Sequence, residues 1–162
     1  MGGETRPFPI ISWKERVFDM KILNIGGKEY KLEFSFEAAE CKDIVQKMFN
    51  IVSGAYIVKN SSGAEDEMSA TVGMINGVSE MVADIPNIVK TAVYAGLLEH
   101  HNGTEDEAKQ LMRQYLKENK CSYNKLFEDI KICMEEDGFF DLSGINEMIQ
   151  KMNEAQEEHQ TA

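Results

Sequence analysis

Several groupings in the 162-residue chain have residue types that could do chemistry. Gly26-Gly27-Lys28 invites a phosphate, but a phosphate loop needs G-x-x-x-x-G-K-[ST] between a strand and a helix. Here Glu29 follows the lysine, no second spaced glycine precedes it, and a strand-like pattern comes next. His100-His101 offers two imidazoles, yet adjacent side chains on a helix point apart, and helical metal pairs stand three or four residues apart. Two imidazoles near a helix C-terminus suit the negative end of the macrodipole instead. Asp137-Gly138 resembles the middle of a calcium loop. Aligned there, Cys133 falls first and Gly144 twelfth, where a bidentate Glu is required. Aligning on Glu147 puts Asp141 where the invariant glycine belongs, so the loop fails both ways.

The triplets Glu65-Asp66-Glu67 and Glu105-Asp106-Glu107 look like paired acids. They follow helix-capping residues, where carboxylates complement the helix dipole, and that accounts for them. His159 lies in a polar tail, and no Ser-His-Asp order or Cys-His pair stands out. The residues therefore give no catalytic group, no metal set and no cofactor site, and the expectation is a protein that is not an enzyme. Methionine is the unusual count, at ten. Met68, Met74, Met81, Met112, Met134, Met148 and Met152 all fall in predicted helices. The plain reading is adaptable core filler; the sharper one is a compliant surface for an apolar helical partner.

The composition narrows the partners. With 17 basic and 28 acidic residues the formal net charge is -11. Residues 1–35 are nearly balanced, so the acidity lies beyond them. Sequence-independent nucleic-acid binding and an anionic membrane surface both need concentrated positive charge, and both are disfavoured. No run of 18 apolar residues occurs, so no spanning helix is expected. The N-terminal PFPII is too short for a secretory apolar core. Three cysteines, Cys41, Cys121 and Cys133, odd in number and none in a C-x-x-C pair, argue against a full disulfide framework and suit a reducing cytoplasm.

The elements follow from the patterning. Residues 1–19 carry no sustained period and read as an extension, flexible or foreign to the domain. From Met20 the period is two. A Gly26-Gly27 turn pairs Leu23 with Tyr30 and Ile25 with Lys28, putting Leu23, Ile25, Tyr30, Leu32 and Phe34 on one face. Ser35 is expected to cap a helix from Phe36 to about Val52, its face formed by Ala38, Cys41, Val45, Met48, Phe49 and Val52. AYIVKNSSG stays open between strand and irregular chain. Ser62 with Glu65 forms an expected capping box for a helix carrying Met68, Val72, Ile75, Val78, Val82 and Ile85. Pro86 is expected to break or kink it. A strongly apolar helix then runs to the HHNG stop. Thr104 and Ser122 cap two further helices, Asp137-Gly138 ends the second, and a last helix from about Leu142 frays into NEAQEEHQTA. The fold class is α+β and mainly helical: an N-terminal β-hairpin followed by about five α-helices. The expected divisions are 1–19, a hairpin-plus-helix domain over 20–140, and a C-terminal helix with an acidic tail over 141–162.

The opening MKILNIGGKEYKLEFSFEAAE, with its K-E-Y-x-L-x-F second strand, resembles the tail assembly chaperones of long-tailed bacteriophages and Gram-positive prophages. DIPNIVKTAVYAGLLEHHNGTEDEAKQLMRQYLKE is similar to their middle helices, and LFEDIKICMEEDGFF to their last part. The resemblance covers roughly 20–140, with Gly26 where such proteins often carry Asn. It implies a non-enzymatic cytoplasmic protein, absent from the mature virion, that keeps the long helical tape-measure protein soluble before the tail tube assembles. It also implies contact with the tail-tube protein through a longer, frameshifted form that many members make. A client helix would lie in grooves between amphipathic helices. Met74, Met81, Met112 and Met148 are the candidate client-binding residues, because they fall off or beside the regular stripes. The hairpin, through Leu23, Ile25, Tyr30 and Leu32, is the candidate edge for homo-oligomers. The other reading is a small acidic helical adaptor or regulatory domain that binds one folded protein.

Overall fold

A computed structural model describes residues 22–161, so the expected extension over 1–19 lies outside the described residues. The fold is α+β and mainly helical. A two-stranded antiparallel hairpin, β1 (Ile22–Ile25) and β2 (Lys28–Lys31), opens the chain. Eight helices follow among the described residues: α1 (Phe36–Ala39), α2 (Lys42–Val52), α3 (Ala55–Ser61), α4 (Glu67–Leu97), α5 (Glu105–Asn119), α6 (Tyr123–Glu136), α7 (Phe139–Leu142) and α8 (Ile145–Thr161).

The hairpin register is the expected one, Leu23 opposite Tyr30 and Ile25 opposite Lys28. Gly26 and Gly27 both hold positive φ, +58° and +81°, as a primed two-residue turn demands. Leu23, Ile25, Leu32 and Phe34 are buried, and Tyr30 packs half-buried against them. The chain leaving β2 lies on the C-terminal end of α4. Glu33 N–H donates to the Gly96 carbonyl at 2.9 Å, and a Cβ at Gly96 would sit 2.7 Å from the Phe34 ring. Asp137, at the end of α6, accepts from Phe34 N–H at 2.9 Å. The Asp137-Gly138 pair thus latches the hairpin and opens α7, with Gly138 at φ +75°.

Five expectations about the helices are corrected, in whole or in part. The helix expected over 36–52 divides at Glu40 and Cys41, where Cys41 is extended. The break re-phases α2, so that Ile44 and Met48 face the core while Val52 turns outward. AYIVKNS is helical, entered from Gly54 at φ +73°. Ser62 closes α3 and does not cap α4; Asp66 does, its carboxylate accepting from Ser69 N–H at 2.7 Å. Of the expected break or kink at Pro86, the break does not occur: α4 runs through it for 31 residues, about 46 Å at 1.5 Å per residue. The expected caps at Thr104 and Ser122 accept from Glu107 and Lys125 N–H, each at 3.1 Å. The polar C-terminal stretch stays helical to Thr161.

One apolar core joins the hairpin to the helices. Its axis is the C-terminal half of α4, where Ile88, Val89, Ala92, Val93 and Ala95 are closed off from solvent. Ala108 and Met112 of α5, Leu126, Ile130, Cys133 and Met134 of α6, Phe139 and Phe140 of α7, and Ile145 of α8 pack around it. No charged or polar residue is buried among the described residues. No described helix is long and apolar enough to cross a membrane.

Candidate functional site

The N-terminal half of α4 leaves this core and packs on α3. Its buried residues are glycines, Gly73 and Gly77. A Cβ at Gly73 would stand 2.5 Å from the Asn60 carbonyl oxygen, and one at Gly77 2.7 Å from that of Tyr56. Backbone therefore lies on backbone, and α3 and α4 form a tight two-helix arm. One flank of the arm is polar. Asn60 Nδ2 donates to the Tyr56 carbonyl and to Glu80 Oε2, each at 2.8 Å, and the Tyr56 hydroxyl donates to Asp84 Oδ2 at 2.9 Å. Lys59 Nζ lies 3.4 Å from Glu80 Oε1. Burial and the Asp84 carboxylate push the Tyr56 phenol up to about 12, and the Asn60 and Lys59 bonds hold the Glu80 carboxyl below its usual value.

The rest of the arm is apolar and open. Met68 is 78% exposed, Ile75 62% and Val58 of α3 67%. Val72, Met74, Val78, Val82 and Ile57 are also exposed. The stripe that the sequence marks as the apolar side of this helix thus faces solvent up to Val82, and only its last member, Ile85, reaches the core. The reason is that α3 is received on the glycine side, roughly opposite the stripe at 3.6 residues per turn. The missed signal was Gly73-x-x-x-Gly77 in a helix interior. Each such glycine costs about 1 kcal/mol against alanine, so a pair spaced on one face calls for a packing reason.

The predicted residues divide. Met74 is exposed and Met81 half-buried on the arm, beside the α3 flank by helical phase. Met148 is exposed on α8 with Met152. Met112 is corrected: it is 2% exposed, sealed in the core one turn beyond Ala108, and cannot meet a client. The hairpin residues Leu23, Ile25 and Leu32 are core side chains. The outer rim of the chain at β2 is bonded within the molecule at two positions. Lys31 N–H donates to His101 Nε2 at 3.2 Å and Glu33 N–H to Gly96.

A second polar cluster sits where the hairpin meets the end of α4. Ser35 Oγ donates to Glu33 Oε2 at 2.7 Å and also contacts Glu99 Oε1. His100 Nε2 meets Glu33 Oε1 at 2.8 Å, and the His101 ring rests on Tyr30, centroids 5.4 Å apart. The hydrogen bonds from Ser35 and His100 hold the Glu33 carboxyl below its ordinary value. A serine nucleophile needs its hydroxyl on a basic imidazole; here the imidazole holds the carboxylate and the hydroxyl faces acids. The two histidines tie the hairpin to α4. A cleft of about 340 Å³ opens beside them between Tyr30, Tyr94, His101, Thr104 and Glu107. Its His101 and Thr104 acceptors are taken by Lys31 and Glu107 N–H. Among the described residues no group of three His, Cys, Asp or Glu could hold a metal ion.

No family model, curated protein or solved structure matches this chain.

Proposed function

We propose that this protein is a non-enzymatic tail assembly chaperone of a long-tailed bacteriophage or prophage, whose client is the tape-measure protein. The observation that carries the reading is the arm: a preformed helical pair that presents exposed Met74, half-buried Met81 on the same flank, and exposed Val58 of α3 on a chain of net charge -11. Apolar surface withdrawn from water is worth roughly 25 cal/mol per Å². A client helix laid beside the arm is held by that term and not by a specific polar code. Flexible methionines let the same flank accept successive segments of a long chain. The acidity keeps a complex with an apolar client in solution.

The client lies along the Met74–Met81 flank. The protein works in the cytoplasm of a Gram-positive host, as an oligomer, and is absent from the finished virion. A longer, frameshifted form engages the tail-tube protein. Co-expression with the tape-measure protein of the same genome tests the reading. An otherwise insoluble tape-measure protein is expected to become soluble and to co-purify, and Met74→Lys with Met81→Lys to abolish both. A client that stays insoluble and never co-purifies would overturn the proposal.

A further inference from the structure

The open apolar arc on the arm is too wide for one helical partner. At about 100° per residue, Met81 and Met74 lie on one side and Val72 on the other, an arc of roughly 180°, against the roughly 100° stripe by which one helix face is covered. Its outer part has its own pattern. Met68, Val72, Ile75, Ser79 and Val82 recur at steps of four, three, four and three residues, the a/d spacing of a coiled-coil seam.

We propose that this seam joins two copies of the chain as a short antiparallel coiled coil. Three observations carry it. First, the positions flanking the seam, where coiled coils place charges that choose partners, are Ser69, Thr71, Asn76, Val78 and Ala83. None is charged, on a chain whose net charge of -11 makes copies repel. Second, the seam spans only about 21 Å, too short to order two free peptides. Here the helix is already formed, backed by α3 across Gly73 and Gly77, so joining costs no helix nucleation. Third, Glu65, Asp66 and Glu67 stand at one end of the seam and the core at the other. A parallel pair would bring six carboxylates together; an antiparallel pair puts them at opposite ends and keeps the two cores apart. Ser79 weakens the seam near its core end and makes the pairing reversible. The inference does not rest on the identity of the client, which is assigned to the adjoining flank.

Sedimentation equilibrium of the full chain tests it. A reversible dimer is expected, tightening as salt screens the net charge. Ile75→Lys is expected to give a monomer with unchanged helical circular dichroism. Ser79→Leu fills the polar seam position and is expected to tighten the dimer roughly tenfold or more. That gain keeps the test open should the lysine variant fail to fold. A native chain that sediments as a monomer at every concentration, or an oligomer indifferent to both substitutions, overturns the proposal. So does a monomeric chain whose capture of the tape-measure protein is lost in Ile75→Lys, because the seam would then belong to the client. Loss of client rescue with the dimer intact would instead strike the functional reading alone.

Discussion

Gly77 leaves α4 without a side chain where the Tyr56 carbonyl passes, 2.7 Å from the place a Cβ would take. Alanine there would return about 1 kcal/mol of helix propensity while creating the clash, and the two effects partly cancel. Valine returns little, so Gly77→Val isolates the steric cost, expected at about 1–3 kcal/mol in urea unfolding, with faster hydrogen exchange in α3. Unchanged exchange in α3 would mean that the arm is not held by this contact. Glu33 gives a prediction in pH. Its folded carboxyl is held below the ordinary value of 4.5 by Ser35 and His100. A depressed carboxylate contributes stability that is present above the unfolded value and lost as pH falls through the folded one. The stability gap between the native chain and Glu33→Gln is therefore expected near neutral pH and should close below 4.5. A gap that persists in strong acid would mean that the carboxylate charge is not the cause. These residues differ in how far sequence reveals them. Glycine spacing is visible once asked about; the partnership of Glu33 with His100, 67 positions away, exists only after folding.

At the scale of elements, period and punctuation carried most of the reading. The hairpin, its register and its buried face follow from alternation around Gly26-Gly27, and the starts of α5 and α6 follow from Thr104 and Ser122. The failures share one cause. Local signals compete, and packing chooses among them. Ser62 and Asp66 both offer N-caps within one turn, and the docking of α3 leaves Ser62 to close that helix. Pro86 removes an N–H and crowds the carbonyl four residues back, which sequence rules take as an end. The apolar run after it is buried in the core that the hairpin and the surrounding helices share, and that burial carries the helix through. Its local cost remains. Pro86→Ala should restore the bond to the Val82 carbonyl and stabilise the chain by about 1–2 kcal/mol, after allowance for the looser unfolded state. The check is thermal or urea unfolding, together with slower amide exchange over 82–86; a destabilised variant would show that the proline fits α4 without strain.

For the whole molecule, methionine and periodicity by themselves read as core filler and buried stripes, and only the family resemblance implied uncovered helical faces. Exposure along α4 matches that, but on the regular stripe and not only on the residues beside it. Periodicity reports which residues share a side of a helix. It is silent on whether that side meets the molecule's own core or another chain, because both give the same pattern. Met112 shows the converse: a methionine chosen for a partner is spent inside. The position of Pro86 has a mechanical consequence. It falls where α4 passes from solvent into the core, with Val82 exposed on one side and Ile88 closed on the other. Glu67 lies 19 residues away, about 29 Å along the axis. A bend of about 20° at the proline would swing that tip through roughly 10 Å about a fulcrum set at the edge of the core.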